Sequence, residues 1–168
     1  PPKFSAGCVD RSNLRQYVDE LCKKKGIKCK CIRCREIGRS KKIIYDNVYI
    51  DGYNANGGKE FFISIGKDPL IGFARLRFPS QFLRKEITKD SAIIRELHVY
   101  SSALKIGNKG GGYQHKGYGK ILMEKAEEIC KQNGKKKLLV ISGIGVKDYY
   151  INKLDYKKEG VYVSKILK

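Results

Sequence analysis

The segment Gln114-His115-Lys116-Gly117-Tyr118-Gly119-Lys120 runs straight into Ile121-Leu122-Met123-Glu124-Lys125-Ala126-Glu127-Glu128. A Gln-x-x-Gly-x-Gly turn therefore opens an amphipathic helix directly after a loop. The first amides of a helix have no partner within it, and two glycines let a ligand approach the main chain closely. A helix start of this kind, at the positive end of its dipole, suits an anion such as a pyrophosphate. The segment predicts a phosphorylated cofactor, and it constrains the fold to one that presents a helix N-terminus beside an open cleft.

The rest of the chain frames that helix. Leu14, Val18, Leu21 and Cys22 have helical spacing, with Asp10 or Ser12 as N-cap and Gly26 as the stop after Lys23-Lys24-Lys25. From about Ile43 the pattern turns to strands. Val48–Tyr53 and Glu60–Ile65 flank Asn54–Gly58 as a β-hairpin, and Leu70–Phe78 alternates as a half-buried strand does. Residues 79–90 read as a charged excursion and Ala92–Tyr100 as a fourth strand. The glycine-turn helix follows and ends near Asn133-Gly134. Leu138–Ser142 is wholly apolar up to its last residue and predicts a central strand covered on both faces. A short helix through Asp148-Tyr149-Tyr150 and a hairpin over 156–167 complete an order of helix, cysteine knuckle, β, β, β, β, α, β, α, β, β.

Charge and cysteines bound the partners. The net charge is +19 over 168 residues, and residues 1–42 hold thirteen Lys and Arg against four acids. Such a field favours polyanions. Lys23, Lys24, Lys25, Lys28, Lys30, Arg33, Arg35 and Arg39, with Lys41 and Lys42, form a dense basic segment suited to backbone phosphate. A Lys-rich surface with no partner is the plainer alternative. Cys29, Cys31 and Cys34 lie too close to pair readily with one another and are spaced to converge on one metal, with zinc expected. Cys22 and Cys8 are candidates for a fourth ligand, as is a residue from a part of the protein outside this chain. No apolar run reaches the ~18–20 residues of a membrane span. The chain is expected to be a cytoplasmic fragment of a longer protein with no membrane partner, and its oligomeric state is left open.

A Rossmann unit would need Gly-x-Gly-x-x-Gly, and a triphosphate loop would need Gly-Lys-Ser/Thr. Neither occurs. The arrangement instead resembles the GNAT acetyltransferase superfamily, which implies an α+β fold with a mixed, mostly antiparallel sheet flanked by helices. Further motifs narrow this: Cys29-Lys30-Cys31-Ile32-Arg33-Cys34-Arg35-Glu36, Arg95-Glu96-Leu97-His98-Val99-Tyr100, Val140-Ile141-Ser142-Gly143-Ile144-Gly145 and Asp148-Tyr149-Tyr150. In order, they resemble the C-terminal half of the Elongator catalytic-subunit family, which modifies the wobble uridine of tRNA.

That resemblance implies the remaining assignments. Residues 1–41 would be a linker helix and metal knuckle at the end of an absent radical-SAM module, which carries S-adenosylmethionine and an iron–sulfur cluster. Residues 42–168 would bind acetyl-CoA. Main-chain groups of Gln114, His115, Lys116, Gly117, Tyr118, Gly119 and Lys120 would hold the pyrophosphate, and those of His98, Val99 and Tyr100 the pantetheine arm. Tyr149 or Tyr150 would place a phenol near the thioester sulfur, although consecutive helical residues cannot both face it. Glu96 would be the general base if the acceptor were an amine, or else a solvent-facing side chain. The implied product is 5-carboxymethyluridine, with tRNA as partner. A protein lysine (histone) acetyltransferase and a non-catalytic RNA-binding module are the rival readings.

Overall fold

The computed structural model describes residues 13–37, 47–100 and 117–168. It forms two compact units, Pro1–Cys34 and Arg35–Lys168. In the first, α1 (Leu14–Lys24) ends at Gly26, which takes a positive φ, and α2 (Ile32–Arg35) follows the first cysteines. The N-cap of α1 is Asn13, in a left-handed conformation with no side-chain capping bond. The expected caps Asp10 and Ser12 lie outside the described residues.

The second unit is built on one seven-stranded sheet. Its strands are β1 (Val48–Ala55), β2 (Gly58–Ile65), β3 (Gly72–Phe78), β4 (Ser91–Val99), β5 (Lys137–Val140), β6 (Lys157–Glu159) and β7 (Tyr162–Ile166). The order across the sheet is β1-β2-β3-β4-β5-β7-β6. Only β4 and β5 run parallel, and every other pair is antiparallel. This is the mixed, mostly antiparallel sheet expected. The β1–β2 turn is tighter than Asn54–Gly58, because pairing continues to Ala55 and Gly58. Asn56 and Gly57 alone make the turn, both at positive φ, which matches the twist of the flanking strands.

Helix α3 (Tyr118–Gln132) lies on one face of the sheet. Its buried Leu122, Met123, Ala126 and Ile129 pack with Ile63, Leu76, Ile94 and Val140 in the main core. Leu138, Leu139 and Val140 are fully buried, so β5 is covered on both faces as its apolar run predicts. A 3₁₀ turn (Ile144–Val146) and α4 (Lys147–Leu154) follow β5. The strand itself stops at Val140, and Ile141 is exposed. Upstream, Glu36 bridges Leu70 and Ile37 is buried in the core, which ties the chain from Arg35 onward to the sheet. No helix among the described residues is long and apolar enough to cross a membrane.

Candidate functional site

The cleft begins where two parallel strands part. β4 and β5 pair from Ser91 with Lys137 to Ile94 with Val140, and the Ile141 amide still donates to the Ile94 carbonyl at 3.0 Å. Beyond Arg95 the pairing ends, while β4 stays paired with β3 as far as Val99. The register between β3 and β4 shifts at Arg75/Leu76, an irregularity of the kind that bends a strand. Just past the parting, Ser142 Oγ is buried with no hydrogen-bond partner among the described residues.

A cavity of about 940 Å³ opens beside the freed end of β4. Leu97, His98, Val99, Gly117, Gly119 and Lys120 line one part of it, and Val146, Tyr149, Tyr150, Lys153 and Leu154 the other. Gly117 caps α3 at φ 77°, a conformation that an L side chain adopts only with strain. The first helical bond is Ile121 N–H to Gly117 O at 3.1 Å, so the amides of Gly119 and Lys120 precede the α3 ladder. A Cβ on Gly119 would sit 2.9 Å from Tyr149 Oη and 3.9 Å from Val99. The glycine thus keeps open a gap that any side chain would fill. Gln114, His115 and Lys116 lie outside the described residues.

The β4 assignments separate by strand geometry. The Tyr100 amide donates to Ile71 O at 2.8 Å, toward β3. Alternate residues of a strand turn their main-chain groups to opposite edges, so Leu97 and Val99 face the parting. Leu97 was missed in the sequence, where only the order of residues, not their parity, was used. The His98 and Tyr100 rings pack on each other at 4.5 Å and on Phe73 beneath them.

The two tyrosines divide the work. Tyr150 is buried in the main core and touches both Tyr149 and Tyr156 through edge-on ring contacts. Burial, and then the neighbouring Tyr149, pushes its phenol up to about 12. Tyr149 is partly exposed, reaches toward Gly119, and has its phenol raised by burial. It remains a protonated donor at neutral pH. Lys153 lies four residues on, one turn along the same face of α4, a spacing that could have marked it in the sequence. Glu96 stands on the sheet face away from α3 and pairs with Arg75 at 3.6 Å.

In the first unit, the sulfurs of Cys29, Cys31 and Cys34 all lie within 4.8 Å of one another. Thiolates ~2.3 Å from a single ion fit that spacing. Cys22 is not part of this group, and Cys8 is outside the described residues. The Cys34 backbone hydrogen bond, aided by the Cys29 and Cys34 thiols, brings Cys31 down to about 7. Hydrogen bonding with Cys31 and then Cys29 pushes Cys34 up to about 11. Arg15 donates to Cys34 Sγ at 3.0 Å. Lys23, Lys24, Lys25, Lys28, Lys30 and Arg33 are all exposed. Arg35 donates instead to Lys67 O at 3.1 Å, which occupies part of its guanidinium, and Arg39 lies outside the described residues.

Comparison with known proteins places this geometry. The acetyltransferase (GNAT) family model matches residues 33–150. The chain is 45% identical over 172 residues to a tRNA uridine(34) acetyltransferase of Methanocaldococcus infernus, covering 95% of this chain and 32% of that protein. It is 42% identical to Elongator complex protein 3 of Saccharomyces cerevisiae, covering 98% of this chain and 31% of that protein. Among solved structures, the archaeal M. infernus Elp3 with an N-terminal deletion matches with a TM-score of 0.81 at 43% identity, over 94% of this chain and 40% of that one. The chain thus spans about a third of the length of the curated relatives it matches.

Proposed function

We infer, for a chain that belongs to the acetyltransferase (GNAT) family, that the parting of β4 and β5 holds acetyl-CoA and presents its acetyl group within a tRNA-modifying enzyme. The observation that carries this is the cleft itself, which joins the parted edge of β4 at Leu97 and a glycine-gapped helix start. When bound, acetyl-CoA supplies an activated two-carbon unit as a thioester. The chain's own part is to bind, orient and protonate. The Gly119 and Lys120 amides, at the positive end of α3, hold the diphosphate. Leu97 offers main-chain groups to the pantetheine amides in the manner of an added strand. The Tyr149 phenol, which stands beside Gly119 in this structure, would turn toward the thioester end to donate a hydrogen bond there and protonate a departing thiolate.

The relatives named for tRNA uridine(34) acetylation and for Elongator favour a tRNA acceptor at the wobble uridine, and the resemblance to the Elongator family implies 5-carboxymethyluridine as product. The two-thirds of those proteins not matched by this chain would supply the radical-SAM chemistry, with S-adenosylmethionine and an iron–sulfur cluster. Cys29, Cys31 and Cys34 would hold zinc, with a fourth ligand from outside the trio, in a cytoplasmic protein. Metal analysis of the purified chain is expected to find about one zinc per chain, lost on Cys31→Ser. Metal-free chain with unchanged folding would overturn that assignment.

The test of function is acetyl-CoA turnover measured with tRNA, with a histone peptide, and with neither. Stimulation by tRNA supports this reading. Stimulation by the peptide transfers the site to lysine acetylation. Cofactor binding without turnover in any arm reduces the chain to a binding module.

A further inference from the structure

A second cavity, of about 550 Å³, lies on the sheet face away from α3. By alternation along β2, β3 and β4, Glu60, Arg75, Arg77, Ile93 and Arg95 point to this face, while Phe61, Ala74, Leu76 and Ile94 enter the main core. Glu60 is almost wholly buried, its side chain 3% exposed, and three arginines converge on it. Arg77 bonds it at 2.9 Å and also donates to the Ala55 and Asn56 carbonyls, both at 3.1 Å. Arg95 bonds the same carboxylate oxygen as Arg77. Arg75 stands 3.6 Å from the other oxygen, where the Tyr53 hydroxyl already donates at 2.9 Å.

One carboxylate has about four acceptor sites, whereas three guanidiniums carry about fifteen N–H donors. Arg77 is anchored by two carbonyls besides Glu60. Arg95 and Arg75 are 43% and 33% exposed, so their remaining donors face the cavity. Glu60 holds these arginines in place without neutralising them. An arginine pair fixed in this way is suited to a phosphate, which a guanidinium fork contacts through two parallel bonds. Glu96, 3.6 Å from Arg75, is the second carboxylate of this face, so an ammonium acceptor would still meet three arginines against two glutamates.

The cavity is also placed for an acceptor. Arg95 and Ile141 stand where β4 and β5 part, and both line it. Leu97, two residues along β4 from Arg95, lines the cleft assigned to acetyl-CoA. Leu83, Ile87, Ile93 and Ile141 give the cavity an apolar wall against which a base can lie.

We propose that Arg75 and Arg95 form a phosphate-binding subsite for a single-stranded RNA acceptor, with Glu60 as the residue that positions them. The proposal rests on the acetyltransferase reading only for what the acceptor receives, not for the subsite itself. It is tested on the full chain by fluorescence anisotropy, with a short single-stranded RNA and a lysine-rich peptide as probes, while acetyl-CoA binding is followed separately by calorimetry. Arg95→Gln and Arg75→Gln are each expected to weaken RNA about fivefold or more. Each should lower the slope of log affinity against log salt by roughly 0.7–1, the signature of one lost phosphate contact. Arg95→Lys should restore part of the affinity, and acetyl-CoA affinity should not change. RNA binding unchanged in both Gln variants, no RNA binding by the wild type, or peptide binding that improves in Arg95→Gln would each overturn the subsite. Failure of the wild type to bind acetyl-CoA would instead count against the acetyltransferase reading alone.

Discussion

Tyr149 and Glu60 show how differently two side chains contribute to this molecule. The Tyr149 hydroxyl stands 2.9 Å from where a Cβ on Gly119 would lie, and the phenol is raised by burial. Tyr149→Phe keeps the ring and removes only the donor. It is expected to lower acetyl-CoA turnover about 10–100-fold with the dissociation constant nearly unchanged, as loss of a general acid does. Tyr150→Phe, in the core beside Tyr156, should leave turnover within about twofold. Steady-state kinetics and calorimetry on both variants check this. Glu60 acts on stability. Burial pushes its carboxyl up, but hydrogen bonds from Arg77, Tyr53 and Arg95 outweigh that and hold it at about 2. A carboxyl depressed in the folded state stabilises fully above its unfolded value near 4.5. That stability is lost as pH falls through about 2. After allowance for the half-exposed arginines, the contribution is about 1–3 kcal/mol. Urea melts of the wild type and Glu60→Gln between neutral pH and pH ~3 are expected to converge in stability as the pH falls. A gap that is constant with pH would refute the assignment. Neither the Glu60 cluster nor its cavity is legible in the sequence, because Tyr53, Glu60, Arg75, Arg77 and Arg95 come from four strands whose register no single segment encodes.

At the scale of elements, the sequence reading succeeded where a pattern is local and periodic. The fully apolar Leu138–Val140 announces a covered strand, and the 3.6-residue spacing of Leu122, Met123, Ala126 and Ile129 announces the face that α3 buries. Leu122→Ala is accordingly expected to cost about 2–5 kcal/mol, read as a fall in the denaturant midpoint with the cleft otherwise intact. The reading fell short where geometry between elements decides. Whether a β4 residue faces β3 or the parting depends on strand parity and on the shift at Arg75/Leu76, which only the paired strands reveal. The helix start was legible because Gly117 and Gly119 carry their conformational reason with them: one adopts a positive φ, and the other leaves room beside Tyr149. The trio Cys29, Cys31 and Cys34 was legible from spacing alone, whereas a fourth ligand lies beyond what spacing can specify.

For the whole molecule, β4 contributes residues to two of the cavities among the described residues, Ile93 and Arg95 to one and Leu97 to Val99 to the other. The cleft against α3 and α4 is built around main-chain groups and suits a cofactor recognised by its backbone-like arm. The cavity on the other face is built around arginine side chains. The strand that parts from β5 links them through Arg95 and Leu97. The basic residues Lys23–Arg33 belong to the other unit and add a field that attracts polyanions without reading sequence. The account depends most on the glycine-gapped helix start. Calorimetric titration of acetyl-CoA into the wild type and Gly119→Val, alongside thermal melts of both, tests it most directly. The account predicts one binding site in the wild type and at least tenfold weaker binding in a variant that remains folded. No binding by the wild type, or equal affinity in a folded Gly119→Val, would contradict it.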